Sequence, residues 1–136
     1  MTSKDYKWFN IAKELAYTSE YNRYKIGCVI VIKKHIISVG INSTKTHPIQ
    51  KYYNQYRFDI NKYQSHHSLH AEIQALVSVP YGIDLSDAVL YTYREHANGN
   101  LAKSRPCPSC MQMIRDRNIR KIYYTTDDGY CEEILN

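Results

Sequence analysis

Apolar residues recur along the first twenty positions at spacings of three and four. Trp8, Ile11, Ala12, Leu15 and Ala16 fall on one side of a helical wheel, which predicts an amphipathic helix over 4–20. The period then changes. Lys25 to Lys33 (KIGCVIVIK) is a β-branched apolar run and predicts a buried strand. His35 to Ile41 (HIISVGI) predicts a second strand, joined to the first by a tight turn at Lys33 and Lys34. Residues 43–67 show no clear period, and a connection of that length predicts a short helix or a functional loop. Helical spacing returns at Leu69, Ile73, Leu76 and Val77, giving a helix over 69–79 that Pro80 and Gly82 end. Ala88 to Tyr93 (AVLYTY) predicts a third strand, and Asn98, Gly99 and Asn100 mark a turn in the loop after it. Residues 108–118 form a further helix with Pro108 in the first turn, where its missing N–H costs nothing. Lys121 to Thr126 (KIYYTT) predicts a fourth strand. The order α-β-β-α-β-α-β predicts an α/β domain with a mixed sheet, one hairpin followed by crossover helices.

Composition narrows the setting. The 136 residues suit a single domain over 1–136, and 43% apolar residues build a core without disulfides. The N-terminus, MTSKDYKWFNIAKEL, is charged from its start and does not read as a signal peptide. The longest apolar run, Cys28 to Ile32, is far too short to cross a bilayer. The expectation is a soluble cytoplasmic chain with no membrane partner, in which the four cysteines are thiols or metal ligands. A net charge of +5 favours anionic partners such as nucleotides or nucleic acid, and equally serves plain solubility. Tyrosine, at 14 residues against two Phe and one Trp, must supply much of the aromatic packing.

Two of those cysteines sit together in "SRPCPSC". On a helix, residues three apart share a face, so Cys107 and Cys110 can point at one spot, with Met111 and Ile114 continuing that face into the core. A helix start also lowers a thiol pKa. Such a pair can be half a structural zinc site, a redox couple or part of a catalytic metal site. The stretch that discriminates is "HHSLHAEIQAL". His70 opens a helix, with Glu72 two residues on. Residues two apart on a regular helix are separated by about 200°, so these two share a pocket only off the helix end. Two helix starts facing each other would bring three ligands and one carboxylate together. Three protein ligands with an open fourth position is the catalytic zinc arrangement; a fourth ligand from His66, His67, Cys28 or Cys131 would make it structural.

His70-Ala71-Glu72 followed by Pro106-Cys107-x-x-Cys110 resembles the paired signature of the zinc-dependent cytidine and deoxycytidylate deaminase superfamily. The resemblance implies a three-layer cytidine-deaminase-like α/β fold, with a mixed sheet flanked by helices. It implies Zn2+ on His70, Cys107 and Cys110, and Glu72 as the group that moves the proton of the attacking water. It also implies that Asn42, in Gly40-Ile41-Asn42, contacts substrate, as do the backbone N–H groups of Ala71 and Cys107, and that the protein is a homo-oligomer. Taken alone, Glu72 reads better as a first-turn acid favoured by the helix dipole, and Asn42 equally as a turn residue.

Two segments depart from the family's commoner pattern. "REHANGNLAKSR", residues 94–105, separates the third strand from Pro106-Cys107; Arg94 and Arg105 there are candidates for a substrate phosphate, against a solvated hairpin tip. Residues 45–64 interleave aromatics and cations (Lys51, Tyr52, Tyr53, Tyr56, Arg57, Phe58, Lys62, Tyr63), as a lid, an oligomer interface or a single-strand groove does. Three functions follow. The first is deamination of a free pyrimidine nucleotide or nucleoside, with a deoxycytidylate-like molecule favoured. The second is editing of cytosine or adenine in single-stranded DNA or RNA. The third is a zinc-stabilised binding module, against which an intact Glu72 argues.

Overall fold

The computed structural model describes residues 1–57 and 68–135. The chain begins with helix α1 (Ser3–Tyr17), then strands β1 (Ile26–Ile32), β2 (His35–Ile41) and β3 (Ser43–Thr46), helix α2 (Pro48–Tyr53) and a 3-10 turn at Asn54–Tyr56. Strand β4 (Ser68–Leu69), helix α3 (Ala71–Val77), strand β5 (Ala88–Arg94), helix α4 (Pro108–Asp116) and strands β6 (Lys121–Thr126) and β7 (Gly129–Ile134) complete it. No described helix is long and apolar enough to cross a membrane.

Five strands form one sheet in the order β2-β1-β5-β6-β7. β1 runs antiparallel to both β2 and β5, β5 runs parallel to β6, and β6 turns back into β7. Because side chains alternate along a strand, β1 serves both faces. Val29 and Val31 meet α1, while Cys28 and Ile30 meet α3 and α4. The result is the expected three-layer α/β arrangement: α1 on one face, a mixed sheet, and α3 and α4 on the other. The α1 layer is rich in aromatics (Trp8, Phe9, Tyr91, Tyr93, Tyr123), whereas the opposite layer is largely aliphatic.

Two glycines set how closely the helices approach. A Cβ on Gly27 would lie 2.0 Å from the Ala12 carbonyl oxygen of α1, and one on Gly40 would lie 2.2 Å from the Ala71 carbonyl oxygen of α3. Gly40 therefore lets the first turn of α3 lie directly on β2.

Several boundaries differ from the sequence expectation. Strand β7 is an addition to the expected order: it is an edge strand whose residues alternate between half-buried and exposed, so it lacks an apolar run. Cys131 consequently lies in the sheet instead of a tail. Leu69 pairs in β4 with Ser43 of β3, so the helix expected over 69–79 begins at Ala71, with His70 as its N-cap. The first helix ends at Tyr17 and the last at Asp116, each short of the periodic pattern. The 94–105 insertion is a hairpin: Glu95 bridges Leu101, and the turn passes through Gly99 at φ 89°. In the 45–64 segment, residues 45–57 carry the expected short helix; Phe58, Lys62 and Tyr63 lie outside the described residues.

Candidate functional site

His70 and Cys107 occupy the same position on different helices, each the extended N-cap residue of its own. An N-cap side chain projects off the helix end, which is how α3 and α4 direct ligands into one space. His70 Nδ1 lies 3.3 Å from Cys110 Sγ and 3.5 Å from Cys107 Sγ. The three donor atoms fall within 4.8 Å of one another, and no other described His, Cys, Asp or Glu joins them. Cys28 is buried in β1 and Cys131 lies on β7, so neither closes the shell. His66 and His67 lie outside the described residues.

The donor chemistry fits zinc, whose tetrahedral sites take thiolate and imidazole. Cys107 is pulled well below the usual thiol range, first by the Cys110 thiol and then by His70, against the resistance of burial. Cys110, fully enclosed, is pushed up by that enclosure and by donating to Cys107. Burial works against a charged His70, but the Cys107 sulfur outweighs it and raises the imidazole. The thiolate form of Cys107 is thus favoured, and thiolate is the donor form a bound zinc ion would need.

Glu72 stands beside these donors without being one of them. Its side chain is 4% exposed, and its Oε1 is buried with no hydrogen-bond partner. Burial, reinforced by Cys107 and opposed by His70, pushes its carboxyl up to about 7. An orphaned carboxylate oxygen in a buried position is costly unless something else engages it.

The donors open into a cavity of about 240 Å³ lined among others by Tyr24, Asn42, Glu72, Arg94, Lys103 and Arg105. Asn42 lies in its wall with its amide partly engaged. Oδ1 accepts from the Ile26 N–H (2.9 Å) and the Ser19 hydroxyl (2.8 Å), and Nδ2 donates to the Tyr24 carbonyl (2.9 Å). Its visible work is to hold the 19–26 loop, which carries Tyr21 and Tyr24 to the cavity. Arg94 and Arg105 both line the cavity, in different states. Arg105 forks onto Glu133, with Nε and Nη2 each 2.9 Å from a carboxylate oxygen. Arg94 lies over the Tyr24 ring at 5.0 Å and donates Nη1 to the Lys103 carbonyl at 3.2 Å.

Two features of the site have no signal in the sequence. Gln50, fully buried on α2, accepts the His70 backbone N–H at 3.0 Å and donates to Asn54 at 2.8 Å; Ser109 of α4 also donates to Asn54, at 3.1 Å. This tie links both ligand-bearing helix starts, and Tyr53 adds a bond to Asp116 at 2.9 Å. Gln50, Tyr53 and Asn54 therefore buttress the ligands from behind, while Tyr52 and Tyr56 of the same segment stay exposed. The second feature is a hydroxyl cluster at the neck of the inserted hairpin. Ser104 Oγ lies 3.0 Å from Thr92 Oγ1 and accepts the Thr125 N–H at 2.8 Å. Buried hydroxyls thus fix where the hairpin returns to the metal ligands.

A family model described as the cytidine and deoxycytidylate deaminase zinc-binding region matches residues 2–126. Among solved structures, the chain is similar in fold to a dCMP deaminase from the cyanophage S-TIM5 in its apo form. Identity is 24%, over 91% of this chain and 84% of that one, with a TM-score of 0.61. The structure of that phage enzyme in complex with dCMP and dUMP matches at 23% identity over 91% and 82%, TM-score 0.61. A cytidine deaminase from Burkholderia pseudomallei matches at 16% identity over 98% and 93%, TM-score 0.66. No curated protein matches the chain by sequence.

Proposed function

The chain belongs to the zinc-dependent cytidine and deoxycytidylate deaminase family, and from that premise we propose that it deaminates a free cytosine-type nucleotide or nucleoside, with a deoxycytidylate-like molecule the preferred substrate. The reaction is hydrolytic: the oxygen of water bonds to the amino-bearing ring carbon, the carbon–nitrogen bond breaks, and ammonia leaves.

The observation that carries this reading is the buried, unpartnered Oε1 of Glu72 beside three converging donors. A zinc ion on His70, Cys107 and Cys110 supplies Lewis acidity at the point they enclose. Glu72, buried beside the donors with Oε1 free, takes one proton from the attacking water and passes it to the ring nitrogen, then takes the proton of the new hydroxyl and passes it to the amine, which leaves as ammonia. The N–H groups of Ala71 and Cys107, at the helix starts, suit the ring carbonyl and the attacking oxygen. Asn42 shapes the wall that receives the sugar. A cavity of about 240 Å³ suits one small molecule better than a strand. Arginine and lysine in its wall suit a phosphate, and the phage relative was crystallised with dCMP and dUMP.

Ammonia release from the zinc-loaded protein tests the proposal on dCMP, deoxycytidine, CMP, cytidine, adenine nucleotides and a short single-stranded oligonucleotide. Turnover of the cytosine monomers is expected, with dCMP fastest. Turnover of the oligonucleotide alone would overturn it in favour of editing.

A further inference from the structure

We infer that Arg94, held over the Tyr24 ring, is the cation that reads the anionic end of the nucleotide, and that Arg105 is withdrawn from that role by Glu133. The inference rests on the nucleotide reading above and assigns its specificity to one side chain.

The two guanidiniums line the same cavity and come from the two ends of the same inserted hairpin. Their partners separate them. A guanidinium fork binds one carboxylate or one phosphate through paired N–H groups. In Arg105 that edge is taken: Nε and Nη2 both donate to Glu133, whose Oε1 also accepts the Tyr124 hydroxyl at 2.9 Å. A phosphate at Arg105 must displace a carboxylate already fixed by two residues.

Arg94 has no such partner among the described residues. Its neighbour Glu95 is engaged by Tyr17 at 2.7 Å and by Tyr93. Among the described residues only Nη1 makes a side-chain hydrogen bond, to the Lys103 carbonyl, and the buried Nε has no partner there. The Tyr24 ring engages the guanidinium as a cation–π partner, which takes none of its N–H donors. Backbone restraint fixes both members of the pair. The Arg94 N–H donates to Thr125 Oγ1 at 3.2 Å, and the Tyr24 carbonyl accepts from Asn42. Lys103, exposed on the returning strand of the hairpin, adds a second positive charge to the same wall. An anion entering here meets a preorganised cation with donors to spare, whereas at Arg105 it meets a neutralised pair.

The test compares kcat/KM on dCMP and on deoxycytidine for the parent, Arg94→Met, Arg94→Lys and Arg105→Met. Arg94→Met is expected to lose about 10- to 150-fold on dCMP, the scale of a charge-assisted hydrogen bond, and to stay within about threefold on deoxycytidine. Arg94→Lys should restore part of the loss, and Arg105→Met should leave the dCMP-to-deoxycytidine ratio within about threefold of the parent. Deoxycytidine turnover reports folding in every variant. Equal losses on both substrates in Arg94→Met, or a selective dCMP loss in Arg105→Met instead, overturn the inference and leave the deaminase reading intact. A parent that turns over neither monomer overturns both.

Discussion

Two acids are buried on opposite faces of the sheet, and they are handled in opposite ways. Asp5, in the first turn of α1, has every oxygen engaged: Oδ1 accepts the Tyr91 hydroxyl at 2.6 Å, and Oδ2 accepts the Thr2 N–H at 2.9 Å and the Thr2 hydroxyl at 3.2 Å. Burial alone would raise its carboxyl, but these donors win and hold it below the usual range. Glu72, in the first turn of α3, is raised to about 7 and keeps an oxygen with no partner. Both sit where a helix dipole favours an acid, so the dipole does not separate them. The saturated acid fastens a helix to a sheet. The unsaturated one faces a cavity beside His70 and two cysteines, and an acid left in that state is available to substrate.

Exchanging each acid for its amide breaks the comparison most sharply. Glu72→Gln keeps the shape and removes the proton acceptor, so kcat is expected to fall by about 10²–10⁴-fold while zinc content and the circular dichroism spectrum stay at parental values. Asp5→Asn should change kcat less than about threefold, because it lies across the sheet from the cavity. Loss of zinc from Glu72→Gln, measured by elemental analysis, would move Glu72 from proton transfer to the ligand set. Stripping zinc with a chelator should abolish turnover in the parent, with recovery on adding the ion back.

The two glycines extend the comparison from side chains to the helices that carry them. Gly27→Ala and Gly40→Ala each drive a methyl group into a helix carbonyl, closer than any real Cβ contact, so each must push its helix away from the sheet. A cost of roughly 3 kcal/mol, at the upper end of overpacking, is expected for either. Their functional consequences should differ. Gly27 supports Ala12 and Ala16 in the C-terminal half of α1, so its variant should melt earlier with near-parental kcat in the folded fraction. Gly40 supports Ala71, between His70 and Glu72, so its variant should also lose zinc affinity and kcat. Equal kcat losses in the two variants, measured well below their melting temperatures, would show that the sheet transmits strain to the site from either face.

Residues with a strong period or a paired motif are legible from the amino-acid order alone: Trp8 to Ala16, the β1 run, and His70-Ala71-Glu72 with Cys107 and Cys110. What stays hidden depends on partners distant in sequence. Arg105 reads as a free cation because Glu133, the residue that occupies it, lies on β7, an edge strand without an apolar run. Asn42 is matched to a substrate contact by resemblance, while its ties to Ser19, Tyr24 and Ile26 stay hidden because those residues lie in a loop and at a strand start with no periodic signature. Gln50 gives no signal because a buried glutamine cannot be told from an exposed one by type alone. Within residues 45–57 the aromatic-basic pattern does not tell Tyr53, buried with its hydroxyl on α4, from Tyr52 and Tyr56, which stay exposed.

The smallest expected effect concerns Asp5 as a purely structural acid. Asp5→Asn places an amide where the Thr2 N–H and hydroxyl need an acceptor, at a cost near 1.5–3 kcal/mol for a hydrogen-bonded charge. That should lower Tm by roughly 5–10 °C at pH 7 in a chain of this size. The penalty should also depend on pH in a defined direction. The folded-state pKa of Asp5 lies below the unfolded value of about 3.9, so the unfolded chain binds the proton first as pH falls. The carboxylate therefore contributes fully above about pH 4 and loses its contribution as pH drops through the folded value. Parent and variant melting curves, separate at pH 7, should draw together toward pH 3. Glu72 has the opposite displacement and cannot produce that convergence. A gap that stays constant from pH 7 to pH 3 would mean that the amide disturbs packing around Tyr91 and that the charge of Asp5 contributes nothing, in which case the two buried acids would differ in position alone.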